Sequence, residues 1–186
     1  MINHLGVLDN AVLIKSPFFN QRPPHTEISL LVIHCISLPE GQFATEHIKN
    51  LFTGCLDCKA DPSFADLEGL EVSAHCVIRR DGLIEQYVSF QQRAWHAGVS
   101  SFQGVDSCND FSIGIELEGT DCTAYTDAQY KALADVTKQV QLQYPAITNQ
   151  RIVGHSDIAP GRKTDPGSEF DWEHYFQLVA NTNHSK

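Results

Sequence analysis

Long apolar runs are missing from this 186-residue chain. No stretch approaches the roughly 18 consecutive apolar residues that a membrane-spanning helix needs, which excludes a helical integral membrane protein. A basic excess is missing too. Thirteen Lys and Arg against 23 Asp and Glu leave a formal charge of −10, whereas a general nucleic-acid binder carries a basic footprint. Residues 1–14 have no basic segment, and Asp9 and Asn10 interrupt their apolar residues. No secretory signal peptide is therefore expected. No internal repeat, low-complexity tract or long linker marks a second domain. Glycine-rich phosphate loops and a G-x-S-x-G elbow are also absent, so nucleotide binding and serine hydrolysis of that class lack support.

What remains is ordinary globular composition, 42% hydrophobic and 19% charged, at a length suited to one domain spanning residues 1–186. Six cysteines (Cys35, Cys55, Cys58, Cys76, Cys108, Cys122) could form three bridges in a secreted protein. Without a signal the expected state is reduced thiols in the cytoplasm.

Residues 28–36 are apolar on both alternating faces, as in a strand inside a sheet. Residues 15–27 read as irregular, and 45–53 as a short helix with Thr45 able to cap it. Residues 55–71 read as irregular again. Asp81-Gly82 between 73–80 and 83–88 is a strong hairpin signal. In 111–118, Phe111, Ile113, Ile115 and Leu117 point one way, and Ser112, Gly114, Glu116 and Glu118 the other. Thr126 and Gln129 form a capping box opening a helix over 127–143, which Pro145 ends. A short strand over 151–155 and a last helix after Asp171, burying Trp172, Tyr175, Phe176 and Val179, complete the pattern. Strands interleaved with helices, plus a hairpin, predict an α/β domain: a central mixed sheet flanked by helices.

Candidate chemistry gathers at strand ends. His34 closes a buried strand. His155 follows another and opens a Pro/Gly-rich loop carrying Lys163 and Asp165. Two imidazoles and a carboxylate form a standard catalytic zinc set with a free fourth position. Spacing alone equally suits the plain alternative, a hydrogen-bonded core histidine and a turn-forming aspartate before Pro166. Glu116 lies beside Gly114 on one face of its strand. It is either on a wet face, as Glu118 suggests, or partly buried as a proton carrier with a raised pKa. Cys55-Leu-Asp-Cys58 is a lone CxxC. A structural zinc shared with His75 is outweighed by two small apolar residues in a loop. Trp95-His96-Ala97-Gly98 reads as an exposed ligand platform or, more commonly, as a core anchor.

Several longer blocks resemble the AmpD family of zinc amidases. They are Leu-Leu-Val-Ile-His34, Val72-Ser-Ala-His75, Ile78-Arg-Arg-Asp-Gly82 and Arg93-Ala-Trp-His-Ala-Gly-Val-Ser-Ser101. Further along come Cys108-Asn-Asp-Phe-Ser-Ile-Gly-Ile-Glu-Leu-Glu-Gly119, Ala124-Tyr-Thr-Asp-Ala-Gln-Tyr130, Gly154-His155 and Arg162-Lys-Thr-Asp-Pro-Gly167. Together they run in order across about residues 28–172. The resemblance implies Zn²⁺ on His34, His155 and Asp165 at one edge of the sheet, with Glu116 as acid–base residue and Lys163 as catalytic lysine. It implies a cytoplasmic hydrolase of cell-wall recycling, cutting the amide between anhydro-N-acetylmuramic acid and L-alanine in a small muropeptide. No nucleic acid, membrane or obligate protein partner is expected. The rival reading is a non-catalytic module that binds peptidoglycan fragments. Cys35, Glu71 and Ser107 depart from the family pattern where stem-peptide carboxylates are held, leaving Arg79, Arg80 or Arg93 to compensate. The long stretch 37–66 after His34 suggests a mobile lid.

Overall fold

The structure, a computed structural model, describes residues 1–181. Two short strands, β1 (Val12–Leu13) and β2 (Phe19–Asn20), lead into β3 (Leu30–Ile36) and the helix α1 (His47–Phe52). A hairpin of β4 (Cys76–Ile78) and β5 (Ile84–Gln86) follows, then β6 (Arg93–Ala94), β7 (Ser101–Phe102), β8 (Val105–Asp106) and β9 (Ser112–Glu118). The last part holds α2 (Asp127–Gln143), β10 (Ile152–Gly154), α3 (His155–Ile158) and α4 (Trp172–Ala180).

Six strands pair in the order β1-β5-β4-β9-β3-β10. The β4–β5 pair is antiparallel and the other ladders are parallel, so the sheet is mixed, as expected. Strand β3 sits between β9 and β10, and Leu30, Leu31, Val32 and Ile33 are wholly buried. That burial is what apolar residues on both faces anticipate. Leu31, Ile33, Ile113, Ile115 and Leu117 pack against α2 and α4 through Leu133, Val136, Val140, Tyr175 and Val179. On the opposite face, Ile48, Leu51 and Phe52 of α1 cover Val77, while Ile158 of α3 meets Leu30 and Val32. Burying an aliphatic or aromatic side chain is worth about 1.5–3 kcal/mol, so these two layers are what hold the sheet in register.

Some expectations change. Phe111 precedes β9 and packs with Leu30 and Val32, opposite to Ile113, because a 3₁₀ turn over Cys108–Asp110 breaks the alternation before the strand begins. Thr45 does not cap α1. Its hydroxyl donates to the Leu38 carbonyl at 2.8 Å, and Glu46 stands at the cap position. Within 55–71, Asp61 caps a 3₁₀ turn over Pro62–Leu67 that buries Phe64. In the stretch read as a lid, Ile48, Leu51, Phe52 and Phe64 are buried and the Ala44 amide donates to Glu118 Oε1 at 2.7 Å. In α4, Tyr175 and Val179 are buried, and Trp172 and Phe176 only partly so.

The capping box on α2 is present as expected: the Gln129 amide donates to Thr126 Oγ1 at 3.1 Å, and the Thr126 amide to Gln129 Oε1 at 3.1 Å. The Thr126 hydroxyl also donates to the Arg80 carbonyl at 2.7 Å, joining the helix to the hairpin. Thr126→Ala should cost about 1–2 kcal/mol, read as a lower urea midpoint with unchanged slope. An unchanged midpoint would show that the cap contributes nothing.

Candidate metal centre and acid–base residues

The β3–β9 register places His34 directly opposite Glu116. Both lie on the face away from α2 and α4, because successive residues of a strand alternate. On the other side of β3, Gly154 of β10 pairs with Ile33, and the chain turns into α3 at the next residue. That turn brings His155 beside His34. Asp165 arrives from the loop after α3, which is tied back where the Ser156 amide donates to the Asp165 carbonyl at 3.0 Å. The trio thus forms where the last two strands of the sheet order run out.

Its donor atoms make a near-equilateral triangle. His34 Nδ1 is 3.0 Å from His155 Nδ1, and each is 3.1 Å from Asp165 Oδ2. A tetrahedral divalent ion with bonds of about 2.0 Å holds its ligands about 3.3 Å apart, so the triangle needs only a slight opening to take one. His155 Nε2 donates to the Ala97 carbonyl at 3.1 Å, which leaves the Nδ1 lone pair facing the other two donors. His34 is 1% exposed and burial lowers it to about 4 against the pull of the Asp165 hydrogen bond, so its ring is neutral at pH 7. Burial pushes Asp165 up, but the two imidazoles facing its Oδ2 carry it well below the usual carboxylate range. Two imidazole nitrogens and one carboxylate are the donor set a zinc-like cation takes. It is the one such group among the described residues.

Glu116 is buried, and its Oε2 has no hydrogen-bond partner. Burial and the nearby Asp165 charge push its carboxyl well above the usual value, with the Lys163 cation opposing them. Of the two readings of this glutamate, the structure supports the buried one. Glu118 does not make the face wet: it is 1% exposed and accepts from Arg79 Nη1 at 3.1 Å and from the Arg80 amide at 3.2 Å. Lys163 is exposed beside the trio, close enough for its charge to act on both His34 and Glu116.

The Trp95–Gly98 motif splits. Trp95 stacks on Phe18 and donates to Asn20, while His96 turns inward onto His34. His75 is buried. It accepts from the Gly114 amide at Nδ1 and donates to the Gln92 carbonyl from Nε2, so it does not join Cys55 or Cys58 in a metal site. The three departures from the family pattern fall in three places. Ser107 lines a cavity of about 570 Å³ with Val99, Ala159 and Arg162. Glu71 lines a smaller groove with Phe18 and Leu56, and Cys35 a third with Gly119 and Asp121. Arg79 is committed to Glu85 and Glu118, Arg80 to the Glu118 and Ala124 carbonyls, and Arg93 to Asp110. Arg162, whose role sequence reasoning passed over, lines the same cavity as Ser107, and its guanidinium donates to the Ala97 and Val99 carbonyls at 2.6 and 2.7 Å.

A mixed sheet with a two-histidine, one-carboxylate group at its strand ends, beside a buried glutamate, defines a class. The N-acetylmuramoyl-L-alanine amidase family matches residues 24–168. Within that class the chain belongs to the AmpD family. It is 55% identical over 186 residues to the 1,6-anhydro-N-acetylmuramyl-L-alanine amidase AmpD of Salmonella typhimurium (strain SL1344), covering 100% of this chain and 99% of that one. The crystal structure of a selenomethionine AmpD derivative superposes with a TM-score of 0.93 at 56% identity, covering 96% of this chain and 99% of that one. The amidase AmiD from E. coli, solved with the substrate anhydro-N-acetylmuramic acid-L-Ala-D-gamma-Glu-L-Lys, superposes with a TM-score of 0.61 at 30% identity, covering 85% and 60%. None of the described helices is long and apolar enough to cross a membrane.

The position of Glu116 has a thermodynamic consequence. In metal-free protein its folded pKa lies above the ordinary 4.5. Between those values the folded state holds more protons than the unfolded one, so this group's contribution to stability is lost as pH rises, by at most about 1.4 kcal/mol per pH unit. Glu116→Gln should therefore be more stable than the parent at pH 8, and the difference should shrink towards pH 4. Parallel pH profiles of urea stability would contradict this burial.

Proposed function

We propose that this chain hydrolyses the amide bond between 1,6-anhydro-N-acetylmuramic acid and the L-alanine of muropeptides released in peptidoglycan recycling. The carrying observation is the juxtaposition of a compact His/His/Asp donor triangle with a buried carboxyl lacking a partner, one strand away in register. A module that only binds wall fragments has no use for that carboxyl.

His34, His155 and Asp165 are assigned as Zn²⁺ ligands. A Zn²⁺ held there would supply Lewis-acid chemistry, acidifying a water from a pKa of 15.7 to about 7 and polarising the scissile carbonyl. Glu116, kept proton-hungry by burial, takes the proton of the attacking water and delivers it to the leaving amine of L-alanine. The absence of a competing hydrogen bond on Oε2 leaves that oxygen free for the transfer. Lys163 stands at the open side, where its cation faces the charge that develops on the carbonyl oxygen. The cavity lined by Ser107 and Arg162 is assigned to the stem peptide. A cytoplasmic location agrees with six unbridged cysteines, two of them exposed. An oxidising compartment bridges or modifies such thiols.

Purified protein should release free peptide from a synthetic anhydro-muramyl tripeptide, lose the activity to a chelator, and regain it with zinc. Glu116→Ala should retain one zinc per chain yet lose turnover by at least about 100-fold, whereas His34→Ala should lose both. Lys163→Ala should lower kcat about 100- to 1,000-fold with little change in KM. Activity that survives complete zinc removal, or an active Glu116→Ala enzyme, would overturn the assignment.

A further inference from the structure

The segment Trp95–Gly98 touches both ligand histidines from outside through neighbouring residues. The Ala97 carbonyl takes the His155 Nε2 proton, and His96 Nδ1 stands 2.9 Å from His34 Nε2. Such outer contacts set the tautomer of a ligand histidine. For His34 to present its Nδ1 lone pair to a metal, its proton must sit on Nε2. His96 Nδ1 must then be the acceptor, which puts the His96 proton on its own Nε2. The structure supplies an acceptor for that proton: Ser112 Oγ, 3.1 Å from His96 Nε2. The chain of donors therefore has one consistent direction, from His34 through His96 to Ser112.

Three further features hold the His96 ring in this chain. Asn109, itself buried, accepts both the His96 and Ala97 amides on Oδ1, at 3.1 and 2.8 Å. The ring lies edge-to-face against His34 and His75, with centroids 5.0 and 5.7 Å away. It also occupies the space left by the missing side chain of Gly114, where an added Cβ would overlap the imidazole. A serine, an asparagine and a glycine from β9 and the turn before it thus converge on one imidazole.

We propose that His96 is a positioning residue. Held by Ser112, Asn109 and the absence of a Gly114 side chain, it locks His34 in the tautomer that offers Nδ1 to the metal. The inference rests on the assignment of His34, His155 and Asp165 as ligands. It adds a residue with no contact to the donor triangle except through His34.

Two readouts test it without turnover. In zinc-loaded protein, ¹⁵N–¹H NMR should show a His34 Nε2 proton that is slow to exchange with water, and His96→Ala should speed its exchange. Competition with a chromophoric chelator should show zinc affinity weakened about 10- to 100-fold in His96→Ala. Ser112→Ala, which removes only the far acceptor, should weaken affinity in the same direction by a smaller factor. Gly114→Ala, which must displace the ring, should match His96→Ala. Should His96→Ala unfold, the Ser112→Ala and Gly114→Ala proteins carry the same comparison. Parent-like affinity and an unchanged exchange rate of the His34 Nε2 proton in the folded variants would overturn the inference while leaving the metal site standing. Failure of the parent protein to bind zinc would overturn both.

Discussion

Everything at this site depends on the pairing of β3 with β9. Side chains on a strand alternate with a period of two, so a slip of one residue would carry the whole polar set to the wrong face. In the observed register Leu31 and Ile33 share the helix-covered face with Ile113, Ile115 and Leu117, and His34 and Glu116 share the other. The apolar side sets the register and the polar side inherits it. Several buried aliphatic residues, each worth about 1.5–3 kcal/mol, thus determine where an imidazole and a carboxyl meet.

Most buried polar groups around the site are hydrogen-bonded, and Glu116 Oε2 is one of three buried side-chain atoms without a partner among the described residues, with Arg22 Nε and Gln139 Oε1. Arg22 reaches in from the entry segment and donates to the carbonyls of Asn109, Asp110, Phe90 and Ser112. Arg79 lies between Glu85 and Glu118, and Glu85 also accepts from the Tyr87 hydroxyl at 2.8 Å. Removing one partner of such a buried pair costs about 3–5 kcal/mol, because the remaining charge is stranded. The unpartnered Oε2 of Glu116 is buried at a cost in stability.

Much of the fold was legible because strong local signals agreed with the tertiary outcome. Leu30–Ile33 are apolar on both faces, Thr126 and Gln129 announce a helix start, and Asp81-Gly82 marks the hairpin. Strands of two residues, such as β1, β2, β7 and β8, carry too little pattern to be seen, and Phe111 was misread because alternation was extended past the strand. At the site, His34 and Asp165 lie 131 positions apart, so spacing could suggest them but only family resemblance could pair them. Glu118 misled because a charge beside Glu116 looks solvated until Arg79 is placed. His96 escaped as a partner of His34 because its role arises from a cross-strand meeting with Ser112 and the space over Gly114.

The order in which the chain is made adds a temporal dimension to this topology. Strand β3 emerges early, but its neighbours β9 and β10 begin at residues 112 and 152. At about 5–20 residues per second, its apolar face waits several seconds for the first of these partners and longer for the second. During that interval Leu30–Ile36 is an unpaired hydrophobic strand, the kind of segment that chaperones bind or that joins another nascent chain. The donor triangle closes later still, once Asp165 is added, so truncated chains ending before that loop lack a complete triangle. Synthesis itself thereby withholds the complete triangle until the sheet that positions it has been built.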